Sequence, residues 1–242
     1  CGFKGGINKY LVSIGIHTPL NTAKGDIQVK RNLVYEKLER IRDKQKLITL
    51  PDDAIPYRHP YRMLDQQTIT ALGCFTTDKY KLKDYLCFPM YHFGRLKFIE
   101  GRLLNNDDTK SKWTRYPTGL DMTDMLYPLE RFQKNGTAIL VEGLLDCLYL
   151  RDLGYTNVLC IFGTNGFNLT KAEILKNYGI VNIIPLMDGD IAGQRAAERI
   201  EFLCKRVKIN CQRVELDLNR DPKTYNYHEL KHLIGEPLKY VK

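Results

Sequence analysis

The chain has 242 residues, is 43% hydrophobic, and carries 37 Lys/Arg against 28 Asp/Glu, a formal charge of +9. This length suggests one or two domains, and this apolar fraction builds a core and excludes wholesale disorder. No run approaches the ~18 apolar residues of a membrane span, and the opening Cys1-Gly-Phe-Lys lacks a charged-then-apolar leader, so neither a spanning helix nor a signal peptide is expected. The seven cysteines are odd in number and form no Cys-x-x-Cys pair, which argues against a disulfide framework and for a reducing, cytoplasmic setting.

In chain order, the Gly-, Thr- and Asn-rich residues 1–25 hold a short apolar element, Ile7 to Ile16, and a loop. Val29, Leu33, Val34, Leu38 and Ile41 recur at helical spacing among many charges, predicting an amphipathic helix within 27–46. Pro51, Pro56 and Pro60 mark a linker, so 26–60 is read as charged helix plus linker. A helix is expected over Arg62 to Leu72, two strands at Tyr85–Tyr91 and Leu96–Ile99 around a turn at Phe93-Gly94, and a helix near Met125 to Phe132.

From residue 136 the pattern alternates. Strands are predicted at 137–141, 157–162, 181–187 and 209–216, with helices at 144–153, 170–178 and 190–207 between them. Short glycine-bearing links between strand and helix imply a parallel sheet covered by helices, although Pro185 counts against a central place for its strand. The expected class is α/β: a parallel-sheet unit over 136–242 preceded by a smaller basic α+β unit over 61–135. Residues 1–135 hold 23 Lys/Arg against 15 Asp/Glu, and residues 136–242 hold 14 against 13. A basic half beside a near-neutral half suits a surface that receives a polyanion next to a site that uses acids, or simply a soluble basic protein.

Parallel sheets gather ligands at the carboxyl ends of their strands. Here the first strand runs into Glu142-Gly143, with Asp146 one turn on, and the third runs into Asp188-Gly189-Asp190. Gly143 and Gly189 leave room for a phosphate or metal to approach the backbone. Clustered carboxylates repel, and a divalent cation such as Mg²⁺ relieves the repulsion while supporting phosphoryl chemistry. Taken singly, Glu142 also reads as a helix N-terminal acid and Asp190 as a helix cap.

Glu142-Gly-Leu-Leu-Asp146, Phe162-Gly-Thr and Asp188-Gly-Asp190-Ile-Ala-Gly193-Gln-Arg-Ala-Ala197 together resemble the TOPRIM signature of bacterial-type primases, topoisomerases and some nucleases, in its primase-like version. Upstream, Leu86-Cys-Phe-Pro89, Gly94-Arg95, Glu100-Gly-Arg102, Lys112-Trp113 and Tyr116-Pro117 resemble the basic subdomain of primase RNA polymerase domains; downstream, Asp221-Pro222 resembles the motif that closes their site. The likeness spans about 61–235. Cys1-Gly-Phe-Lys-Gly-Gly resembles the tail of the zinc ribbon that precedes such domains, so Cys1 would be a remnant ligand of a zinc site lying outside the chain, itself a piece of a longer, divergent, phage-type protein.

The resemblance implies primer synthesis from NTPs on single-stranded DNA with Mg²⁺ or Mn²⁺, beside a replicative helicase, fused or separate. Glu142, Asp188 and Asp190 would be catalytic, and Asp146 and Asp221 would join them as metal ligands. Arg95, Lys97, Arg102, Lys112 and Arg115 would meet template or NTP phosphates, and Trp113 and Tyr116 either stack on bases or pack their loop onto the sheet. Lys223 departs from the pattern, since primases often have a second acid after Asp-Pro. A TOPRIM nuclease or topoisomerase-like enzyme, or a non-catalytic nucleic-acid-binding module, is the alternative.

Overall fold

Two sheets share one hydrophobic core in the computed structural model, which describes residues 48–92, 94–105, 107–131 and 136–237. The elements expected within 1–46, Cys1 and the turn residue Phe93 lie outside the described residues.

The first sheet is antiparallel, in the order β1 (Ile55–Pro56), β2 (Phe75–Thr76), β3 (Tyr85–His92), β4 (Arg95–Leu103), β5 (Trp113–Tyr116). The proline-containing stretch expected as a linker thus supplies β1. Helix α1 covers only Gln66–Ala71, because Asp65 caps it by accepting from Thr68 N at 2.7 Å and Arg62 sits in left-handed conformation, outside any right-handed helix. Along β3 the pleat sends Leu86, Phe88 and Met90 to the central core and Tyr85 and Cys87 to a smaller cluster on the other face.

The second sheet is parallel, in the order β7 (Val158–Cys160), β6 (Thr137–Val141), β8 (Asn182–Pro185), β9 (Asn210–Cys211). Helices α2 (Leu144–Asp152), α3 (Leu169–Asn177) and α4 (Ile191–Val207) connect its strands, and α5 (Tyr227–Ile234) follows. Alternation again divides the strands. Ile139, Val141, Val158, Cys160 and Ile184 meet the antiparallel sheet and α2 in the central core, while Ala138, Leu140, Leu159 and Ile183 pack under α3 and α4. Among the described residues no helix is long and apolar enough to cross a membrane.

Two local expectations fail for proline. Between Met125 and Arg131 only a 3-10 turn forms, at Leu129–Arg131. Pro128 disfavours helical conformation at Tyr127, whose backbone exchanges hydrogen bonds with Cys160 at 3.2 and 2.8 Å, extending the β7 edge. The fourth strand shrinks from 209–216 to two residues. Pro185 lies in an interior strand after all, but on the side facing β9 it has no N–H to offer; the ladder there ends with Gln212 N to Ile183 O at 2.9 Å.

Candidate active site

Glu142 is the first residue beyond β6 and Asp188 stands three residues beyond β8; because the two strands are adjacent and parallel, both acids emerge at one edge of the sheet. There they line an open cleft of about 520 Å³ together with Asp146, Asp221, Lys223, Phe162 and Gly163 on the parallel-sheet side and Arg62, Glu100, Arg102, Trp113 and Arg115 on the antiparallel side. The volume falls within the ~300–1,000 Å³ of small-ligand pockets.

The backbone pins this edge. Gly189 N–H bonds Arg220 O and Gly189 O receives Asn219 N–H, both at 2.8 Å, so the Asp188-Gly-Asp turn is clamped to the 217–221 loop. A Cβ on Gly189 would fall 2.0 Å from Asp217 O, and one on Gly143 would fall 2.5 Å from Asp146 Oδ2. Gly189 therefore makes room for the protein's own backbone rather than for the ligand approach expected from the sequence, whereas Gly143 lines the cleft and clears the Asp146 carboxylate beside it. Phe162 (φ 63°) and Gly163 turn left-handed directly after β7, and Gly163 N–H bonds Glu142 O at 2.9 Å. The Phe162 ring meets Phe98 of β4 edge-on at 5.5 Å and so couples the two sheets beneath the cleft.

The acids divide into two pairs. Glu142 Oε1 and Asp188 Oδ1 are buried without a hydrogen-bond partner. Burial and the nearby Asp188 raise Glu142 to about 7, and burial with the charges of Asp146 and Asp221 raises Asp188 to about 6. By contrast, Asp146 Oδ1 lies 3.0 Å from Lys223 Nζ, which also pairs with Asp221 Oδ2. Burial still pushes the Asp146 carboxyl up, against the lysine's pull. Although burial opposes it, the two carboxylates hold the Lys223 ammonium above its ordinary value.

On the facing wall, Arg115 grips Glu100 through two hydrogen bonds of 2.6 and 3.1 Å and lies over the rings of Phe98 and Phe162 at 5.0 and 5.4 Å. Arg102 lies 5.0 Å over the Trp113 ring, with a buried Nε that has no hydrogen-bond partner.

Of the expected site residues, Glu142, Asp146, Asp188, Asp221, Arg102 and Arg115 meet at the cleft, whereas Asp190, Arg95, Lys97 and Lys112 are not among its lining. Asp190 is the N-cap of α4, its Oδ1 accepting from Gly193 N at 2.7 Å, although its charge still contributes to raising Glu142. Tyr116 stacks on Tyr80 at 3.8 Å, the packing alternative, while Trp113 reaches the cleft. Arg62 and Lys223 also line it; the departure from an acid at 223 was the sequence signal for the second, and only the left-handed turn at Arg62 reveals the first. Among the described residues no three or more Asp, Glu, His or Cys side chains form a ready-made metal cage. The orphaned oxygens of Glu142 and Asp188 nevertheless fit a hard divalent cation, which commonly takes one or two carboxylates and completes its shell with water and phosphate.

A parallel sheet with an acidic strand-end cleft, walled by basic antiparallel strands, defines a Toprim-fold protein: residues 139–226 match the family model described as Toprim-like. Over 176 residues the chain is 32% identical to a DNA primase of Chlamydia trachomatis and 27% identical to that of Chlamydia pneumoniae, in each case covering 68% of this chain and 29% of the relative. Among solved structures, a DnaG primase catalytic domain bound to ssDNA matches at 26% identity and a TM-score of 0.55, over 69% of this chain and 55% of that one. The zinc-binding and RNA polymerase domains of the Aquifex aeolicus primase share the fold at 22% identity and a TM-score of 0.54, over 70% and 43%. The chain is thus a homologue of the DnaG-type DNA primases with their Toprim fold, and spans less than a third of the length of these chlamydial relatives.

Proposed function

We propose that the cleft performs template-directed nucleotidyl transfer and makes short RNA primers on single-stranded DNA. The hydroxyl of a primer or first nucleotide attacks the α-phosphate of an incoming NTP; the new P–O bond forms as the bond to pyrophosphate breaks. The observation that carries this reading is the pair of half-buried carboxylates, Glu142 and Asp188, each with an orphaned oxygen, facing Arg62, Arg102 and Arg115 across one cleft.

Glu142 and Asp188 would hold Mg²⁺ or Mn²⁺, with Asp190 close enough to add negative potential. The cation supplies charge neutralisation of the triphosphate and lowers the pKa of an attacking hydroxyl. Before a cation binds, burial and the neighbouring Asp188 hold the Glu142 carboxyl near pKa 7, so binding the cation at neutral pH would displace a proton from it. Arg102, braced on Trp113 with a buried N–H to donate, orients phosphate oxygens. Arg115 is already committed to Glu100, so it contributes positive potential and holds the wall in place. Arg95, Lys97 and Lys112 lie off the cleft and would meet the template backbone farther along the basic strands. The ssDNA-bound relative supports a single-stranded template.

Labelled NTPs, Mn²⁺ and single-stranded DNA incubated with the 242-residue chain test the proposal. Oligoribonucleotides that vanish with Asp188→Asn while DNA binding persists support it. Shortened DNA without NTP incorporation would establish a Toprim nuclease instead, and DNA binding with neither product a non-catalytic module.

A further inference from the structure

The two acid pairs in the cleft are neutralised differently. Asp146 is on the first turn of α2 and only 5% exposed, where an isolated carboxylate is expensive. Asp221 precedes the 3-10 turn Pro222–Thr224 and is more open. Lys223, on that turn, reaches back between them. Its Nζ is 3.0 Å from Asp146 Oδ1 and in contact with Asp221 Oδ2, and its own backbone N–H lies 3.4 Å from the same Asp146 oxygen. The turn is anchored by buried Pro222, and Tyr149 of α2 donates its hydroxyl to Tyr225 O at 2.9 Å, so the turn and α2 are held together and the ammonium has little freedom to leave. The other cleft-lining cations, Arg62, Arg102 and Arg115, all belong to the opposite wall.

A cleft of strand-end carboxylates with no internal cation would need ions at both pairs, and enzymes that transfer phosphoryl groups commonly hold two ions ~3.5–4 Å apart. Here an ammonium already fills the space between Asp146 and Asp221, while Glu142 and Asp188 keep unpartnered oxygens. Resting on the reading of the cleft as a divalent-cation site, we propose that Lys223 is a tethered cation standing in for one of those ions, so that the site takes a single divalent cation, at Glu142 and Asp188. Lys223 is then a positioning residue. It pairs with Asp146 and Asp221, keeps them in place beside the metal pair, and denies them to a second ion.

The test counts ions. Mn²⁺ titration of the full 242-residue chain without NTP, followed by electron paramagnetic resonance, should give one bound ion for wild type. That ion should be lost with Glu142→Gln plus Asp188→Asn. Lys223→Ala and Lys223→Asp should each bind two, and Lys223→Arg one. Melting in EDTA adds a second readout: Lys223→Ala should be destabilised without metal and recover with Mn²⁺, a larger metal-induced shift than wild type shows. Lys223→Met keeps most of the lysine's unbranched stem without its charge and replaces the alanine variant if that one does not fold. Two ions on the wild type, or one ion on every Lys223 variant, overturns the inference while leaving the metal site standing. No ion on wild type or variants overturns the metal reading itself, and this inference with it. A merely structural lysine would change melting without changing the count.

Discussion

The two walls of the cleft handle charge in opposite ways. On the antiparallel wall Glu100 is matched by Arg115 within one bidentate pair, and Arg102 is braced on Trp113. On the parallel wall Glu142 and Asp188 are left with orphaned oxygens and elevated pKa values. Buried charge is normally paired because leaving it unpaired is costly. The Glu100–Arg115 pair obeys that rule and behaves as scaffold; Glu142 and Asp188 break it where a cation and a triphosphate would complete the site, and Arg102 faces them with an unpartnered Nε of its own.

Removing acids from the unmatched wall should therefore hurt activity and spare the fold. Asp188→Asn is expected to lower primer synthesis by roughly 10²–10³-fold, the scale of losing one preorganised electrostatic group, with an unchanged or higher melting temperature in EDTA. A melting temperature that falls along with activity would erase the contrast. On the matched wall the opposite holds. Arg115→Met leaves Glu100 buried and unpaired and should cost about 2–3 kcal/mol by urea denaturation, at the low end for broken buried pairs because Arg115 keeps partial exposure. The double variant Glu100→Gln/Arg115→Met should recover part of that loss.

Arg102→Ala should cost about tenfold in NTP or DNA affinity and reduce the salt slope of DNA binding by ~1, read by fluorescence anisotropy at several salt concentrations. A further effect is on pH-dependent stability. Glu142 and Asp188 have native pKa values of about 7 and 6 against ordinary values of 4.5 and 3.8. Between these limits the native metal-free protein holds protons that the unfolded chain has released, so this pair contributes stability that falls as pH rises from about 4 to about 7. Glu142→Gln should flatten that fall relative to wild type in melts run with EDTA.

Much of the architecture was legible. The strand–helix alternation after residue 136, punctuated by Gly154 and Gly179, located all three connecting helices, although only α4 is strongly amphipathic. The expected elements overran where prolines acted: Pro128 replaced a helix with an edge contact, and Pro185 ended the β9 ladder. Glu142 and Asp188 were also legible, since a parallel sheet delivers the residues after adjacent strands to one edge. The role of Asp190 was open between ligand and cap, because both need a carboxylate at the same position; its contact with Gly193 N shows that Oδ1 caps α4.

What the residues determined alone is the order of strands and helices after residue 136 and the acids that end those strands, both consequences of local pattern. Partnership across the chain was decided by tertiary structure: Arg115 with Glu100 through strand pairing, Arg62 entering the cleft on a left-handed turn, and Lys223 returning 77 positions to Asp146. Those contacts depend on how two sheets and a late turn come together in space, and charge pairing at such separations leaves no periodic mark on the sequence.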